Sequence, residues 1–198
     1  MKSYPTVTAA YELGAYVWEF DKLDGSNIRA EWSRKRGSFY KFGSRTRLID
    51  RAEPVLGKSV DLITEKYDAL NGVFRIAGYE SVVCFFEFFG PTSFAGLHSD
   101  SDIHDVVLFD IAPYKRGILG PDDFMSHAST VETARLLFNG ILTDEFVCSV
   151  RESTLPGMTF EGVVCKGIGA SCKIKSHVWL DRLRTKCGQD EGLFKRLA

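Results

Sequence analysis

Five charged residues lie inside apolar stretches of this 198-residue chain, where an unpaired charge is costly. Lys22 ends "AYVWEFDK", Glu87 sits within "SVVCFFEFFG", Glu161 within "TFEGVVCKG", and Lys173 and Lys175 within "ASCKIKS". A lysine amine made neutral by burial or nearby positive charge is a nucleophile, and carboxylates are hard ligands for a divalent cation. The same residues also suit buried ion pairs or solvent-facing strand positions, and taken singly none of them decides between the readings. His98, His104, His127 and His177 show no metal-ligand spacing. The glycine-rich "KGIGAS" (Lys166–Ser171) lacks the Gly-Lys-Ser/Thr ending of a phosphate loop and reads as a hairpin turn.

The elements that must carry these residues are mostly strands. "AYVWEF" reads as a buried strand, the Asp-Gly after Lys22 as a turn, and "NIRAEWS" and "SFYKFGSRTRLI" as further strands of an antiparallel meander. Val60, Ile63, Tyr67, Leu70 and Phe74 recur at helical spacing, which predicts one amphipathic helix from Lys58 to about Ile76, weakened at its end by Gly72. "SVVCFFEFFG" and "DVVLFDIAPY" predict apolar strands, and residues 121–140 a mostly helical segment. "EFVCSV", "TFEGVVCKG" and "ASCKIKS" predict three more strands, and "HVWLDRLRTKC" a closing helix. No repeat, low-complexity run or Pro/Gly/Ser linker divides the chain. A single α+β domain of largely antiparallel sheets over residues 1–198 is the expectation.

At 44% hydrophobic, the chain can bury a core without disulfides or a structural metal. Its five cysteines, an odd number with no C-x-x-C pair, read as reduced thiols of a cytoplasmic protein. No apolar run approaches membrane-spanning length. The net charge of −1 hides an asymmetry: between Ile28 and Arg51 eight Lys/Arg face two acids, and residues 173–198 are again basic. Such blocks are either solvated faces or two parts of a surface for a polyanion.

In order, these stretches resemble the covalent nucleotidyltransferase superfamily, which comprises ATP-dependent polynucleotide ligases and mRNA capping enzymes. "KLDGSN" (Lys22–Asn27) is similar to its K-x-D-G motif, "FGSR" ending at Arg45 to the arginine motif that follows, and "FFEFFG" with Glu87 to the third. "LFDI" with Phe109 and Asp110 resembles the next, "FEGVVCK" with Glu161 the E-G-x-V-x-K motif, and "CKIK" the last. The resemblance runs from residue 19 to 175 and implies an ATP-grasp-like nucleotidyltransferase domain of antiparallel sheets flanked by helices. Asn27, at a position where DNA ligases and capping enzymes more often carry Arg, and the arginine of "FGSRTR" tilt it toward RNA ligases of the RNA-ligase-2-like group.

By this resemblance Lys22 is the nucleophile that takes AMP from ATP. Its ordinary pKa of about 10.4 must fall for attack, and Lys173, Lys175 and a divalent metal supply the positive field for that and for the triphosphate. Glu87 and Glu161 serve the metal (Mg²⁺ or Mn²⁺) and the sugar, and Phe109 stacks on adenine. Asp21 reads the adenine edge, Asn27 and Arg45 contact phosphate, and Lys166 touches phosphate too. The implied function is ATP-dependent RNA ligation, joining a 5′-phosphate to a 3′-OH. The alternatives are DNA ligation, guanylyl transfer in mRNA capping, and a non-catalytic nucleic-acid-binding relative.

One departure stands out. Related ligases and capping enzymes continue into a further domain, an OB-fold in DNA ligases, whereas only 23 residues follow Lys175 here. The expectation is a monomeric catalytic domain that adenylylates itself and needs a helper protein or domain to pass AMP efficiently to RNA.

Overall fold

The computed structural model describes residues 2–91, 98–167 and 171–198. Residues 168–170, within the expected "KGIGAS" turn, lie outside them. In chain order the first elements are β1 (Tyr16–Lys22), β2 (Ser26–Ser33), β3 (Ser38–Ser44), β4 (Leu48–Ile49), α1 (Lys58–Lys66), α2 (Leu70–Ile76), β5 (Ser81–Phe89) and β6 (Asp105–Pro113). Then come α3 (Pro121–His127), β7 (Leu136–Ile141), α4 (Asp144–Arg151), β8 (Gly162–Gly167), β9 (Ser171–Lys175), α5 (His177–Cys187) and α6 (Glu191–Leu197). They form two compact units, each on an antiparallel sheet flanked by helices, so the α+β class holds.

One unit comprises residues 2–5, 25–91 and 98–134 and carries the sheet β4-β3-β2-β5-β6. Alternate residues of its strands (Ile28, Ala30 and Trp32; Val82, Cys84, Phe86 and Phe88) are buried, as the two-residue period of a strand requires. They pack against α1 and α2: Trp32 meets Phe74 edge-on at 5.3 Å, and Tyr67 meets Phe86 at 4.8 Å. Each fully buried side chain of this size contributes about 1.5–3 kcal/mol. The other unit comprises residues 6–24, 135–167 and 171–198 and carries the sheet β7-β1-β8-β9. Val17, Val163, Cys165, Cys172 and Ile174 point from that sheet into a core closed by Phe146, Val147 and Val150 of α4.

Several expectations need correction. The helix foreseen from Lys58 to Ile76 is two helices, interrupted where Tyr67 leaves helical geometry at φ −117°. The Tyr67 hydroxyl is fixed on β6, accepting from the Leu108 N–H at 3.1 Å, and that anchor bends the chain while keeping its apolar stripe inward. "EFVCSV" is not a strand but the body of α4. Thr143 Oγ1 accepts from the Phe146 N–H at 3.2 Å as N-cap, with Asp144 and Glu145 in the first turn. Residues 121–140 are helical only in α3; Leu136–Ile141 pairs antiparallel with β1 as an edge strand, whose half-buried residues give no clean alternation. The additional helix α6 starts at an Asp190 cap.

Candidate active site

Register places four of the singled-out lysines on one sheet face. Lys22 pairs with Gly162, which pairs with Lys175; Phe20 pairs with Val164, which pairs with Lys173; Trp18 pairs with Lys166, which pairs with Ser171. Strand periodicity puts these three rows on the same side. Gly162 therefore stands between Lys22 and Lys175 and leaves their chains room. Its φ is +137°, and a Cβ there would lie 2.0 Å from the Ile174 carbonyl oxygen. Only glycine fits where β8 begins against β9, and this turn brings the preceding Glu161 back over the row.

Glu161 bridges the two lysines. Lys22 Nζ donates to Oε2 at 2.8 Å, Lys175 Nζ lies 3.1 Å from Oε1, and the carboxylate is buried. Burial pushes the Lys175 ammonium down to about 8 against the attraction of Glu161, with Lys22 and Lys173 pushing in the same direction. Lys175 Nζ also sits 3.9 Å over the Trp179 ring, whose indole N–H donates to Asp24, the aspartate of K-x-D-G, at 3.2 Å. Lys173 and Lys175 donate to the carbonyls of Ala198 and Leu197 at the end of α6, each at 3.1 Å. They also line an open cleft of about 280 Å³ with Arg151 and His177. Lys166 is buried with its Nζ 4.7 Å over the Phe20 ring.

Asp21 faces the other way. Its buried carboxylate accepts from the Thr159 N–H at 2.9 Å and hydroxyl at 3.1 Å, with Arg135 at 3.5 Å. Burial raises its pKa, opposed by these three partners. On the same side of β1, Glu19 is fully buried beside Cys165 and Cys172.

The other candidates belong to the unit carrying β2 and β5. Asn27 and Glu87 are register partners on those strands. Arg45 is exposed just beyond β3, whose last residue Ser44 pairs with Ile28, so it stands at the same end of this sheet as Asn27. Gly25, the glycine of K-x-D-G, lies so close to β5 that a Cβ would fall 2.3 Å from the Phe88 carbonyl oxygen. Phe109 is half-buried, stacked on Phe85 at 6.3 Å and met edge-on by Tyr4 at 5.0 Å. No local pattern marks Tyr4 or Trp179: their side-chain hydrogen bonds, to Asp110 and Asp24, each span more than a hundred positions.

The carboxylates suit Mg²⁺ or Mn²⁺ in kind, because such ions take one or two carboxylates and complete their shell with water and substrate phosphate. Among the described residues no three His, Cys, Asp or Glu side chains gather into a metal cage. Likewise among the described residues no helix is long and apolar enough to cross a membrane.

No family model matches the chain, and no curated protein matches it. Solved structures do. A point variant of Naegleria gruberi RNA ligase with ATP and Mn superposes with a TM-score of 0.68 at 15% identity, over 92% of this chain and 58% of that one. A second such variant with ATP and Mn gives 0.65 at 16%, over 86% and 52%. The Naegleria gruberi RNA ligase with PPi gives 0.63 at 18%, over 86% and 52%. The chain thus spans a little over half the length of these ligases. At such identities the likeness is one of fold alone, the fold these RNA ligases share over the matched part.

Proposed function

We propose that this chain is the adenylyltransferase domain of an ATP-dependent RNA ligase. The observation that carries the reading is Glu161 bridging Lys22 and Lys175 on a sheet face that also holds Lys173 and Lys166. Lys22 attacks the α-phosphate of ATP, forming an N–P bond as the bond to pyrophosphate breaks. Glu161 Oε2, 2.8 Å from Lys22 Nζ, is placed to hold the proton the amine gives up. Lys173 and Lys175 balance phosphate charge in line with the attack.

By the resemblance, Glu87 and Glu161 would serve a divalent ion and the sugar, and a bound ion would supply positive charge for the leaving group. Phe109 stacks on the base, and Asn27 and Arg45 engage phosphate, Arg45 through its planar fork. Lys166 supports the phosphate field, and Asp21 keeps β1 fixed beneath Lys22. AMP then passes to an RNA 5′-phosphate, and a 3′-OH displaces it to seal the strand, with residues 28–51 as a basic track for RNA.

Incubation with α-labelled ATP or GTP and Mg²⁺ or Mn²⁺ tests this. Covalent label from ATP, lost in Lys22→Ala, is expected. Label from GTP alone points to capping chemistry, and absence of any adduct with RNA binding intact points to a non-catalytic relative. Sealing assays on pre-adenylylated RNA and DNA strands separate RNA from DNA ligation.

A further inference from the structure

Phe109 has an unusual place in its strand. Leu108 pairs with Phe86 and Asp110 with Phe85, so Phe109 is the extra residue of a β-bulge and is opposed by nothing in the β5–β6 ladder. A bulge re-aims its side chain, and the ladder no longer fixes where the ring points. The orientation must then come from other groups.

Tyr4 supplies them. Its ring lies 5.0 Å from Phe109 at 85° and 5.0 Å from Phe85 at 68°, while Phe85 and Phe109 lie 6.3 Å apart and nearly parallel at 29°. Edge-to-face packing of this kind is directional. The Tyr4 hydroxyl donates to Asp110 Oδ2 at 2.5 Å, tethering the ring to the residue that follows Phe109. Burial and the Asp110 charge hold that hydroxyl well above its usual pKa, so it stays a donor. One residue earlier, Ser3 Oγ accepts from Arg29 at 2.7 Å. Arg29 is two positions from Asn27 on β2, and Phe85 two from Glu87 on β5, so residues 3–4 lie along the sheet face that carries Asn27 and Glu87.

We infer that Tyr4 is a positioning residue for the nucleobase, holding the bulged Phe109 ring in the orientation that stacks on adenine. This rests on the adenylyltransferase reading. Tyr4 acts on the base half of the nucleotide and not on its phosphates, which gives the inference a signature that a general folding defect lacks.

Calorimetric titration of the wild type, Tyr4→Ala, Tyr4→Phe, Phe109→Ala and the Tyr4→Ala/Phe109→Ala double variant with ATP and, separately, inorganic tripolyphosphate tests it. Tyr4→Ala is expected to weaken ATP roughly tenfold, within the cost of losing an aromatic stacking arrangement, and to leave tripolyphosphate unchanged. Tyr4→Phe, which keeps the ring and loses the tether, is expected to fall between. Once Phe109 is alanine, removing Tyr4 is expected to cost nothing more. The inference is overturned if Tyr4→Ala binds ATP like the wild type while Phe109→Ala does not, if both ligands weaken equally, or if the two substitutions simply add. Phe109→Ala without effect on ATP overturns the role of Phe109 in the parent reading, and this inference with it.

Discussion

Glu161 accepts a hydrogen bond from Lys22 at 2.8 Å with one carboxylate oxygen, leaving the other for Lys175. The carboxylate is buried, so the pair is exchanged for other partners only when something equally polar arrives. Lys22→Ala, and equally Lys22→Arg, is expected to abolish covalent labelling from ATP. Glu161→Gln keeps the shape but loses the charge and the proton acceptor, and is expected to slow labelling about 10²-fold or more. Single-turnover labelling followed on gels checks both. A Glu161→Gln rate within a factor of three of wild type would remove Glu161 from the chemistry.

If Lys175 meets phosphate as proposed, anion binding is expected to depend on pH. Burial above all, with Lys22 and Lys173, brings its pKa down to about 8, so the group is cationic below that pH and neutral above it. Pyrophosphate affinity is therefore expected to fall by about tenfold as pH rises from 7 to 9, the scale of one charge-assisted hydrogen bond. Lys175→Arg stays charged across the range, so its profile reports the ligand's own ionisation. The measurement is calorimetry on both proteins, and parallel profiles would show that Lys175 does not titrate there.

The shared sheet face of the lysines was more legible in the sequence than the secondary structure was. Lys22, Gly162, Lys173 and Lys175 lie in strands whose apolar runs fix the register, a period of two sends the lysines to one face, and Glu161 directly precedes β8. Local pattern failed where a short apolar run suits either period: Phe146, Val147 and Val150 serve a helix as well as a strand, and the Thr143 cap decides. The contacts of Tyr4 with Asp110 and of Trp179 with Asp24 span 106 and 155 positions, and such pairs have no local signature. The same holds for Asp21, whose carboxylate is committed to Thr159 and Arg135.

Two glycines should respond to alanine with opposite signs. At Gly162 the backbone has φ +137°, and the new methyl would meet the Ile174 carbonyl at 2.0 Å. Gly162→Ala is expected to cost roughly 2–4 kcal/mol and to move Glu161 away from Lys22. Gly72 is exposed within α2 and an added Cβ meets nothing within 4 Å. Gly72→Ala is expected to stabilise by about 0.5–1 kcal/mol. Urea unfolding of the two variants beside wild type gives both signs directly.

Glu19 ties stability to pH in the direction opposite to an ordinary surface carboxylate. It is fully buried and pairs in register with Cys165, whose thiol is only a weak donor to its carboxylate. Burial, helped by nearby Cys172 and opposed by the Cys165 thiol, raises its pKa from 4.5 to about 8. Below pH 4.5 the carboxyl is protonated in both the folded and unfolded chains and has no effect. Between 4.5 and 8 the folded chain holds a proton that the unfolded chain releases, so this contribution to stability falls with rising pH. Above about 8 the loss is complete and amounts to a few kcal/mol. Glu19→Gln carries no such proton, so the difference in melting temperature between variant and wild type should grow in the variant's favour from pH 5 to pH 8.5. Scanning calorimetry at those two pH values measures it, and a difference that stays constant would mean that Glu19 ionises normally in the folded protein.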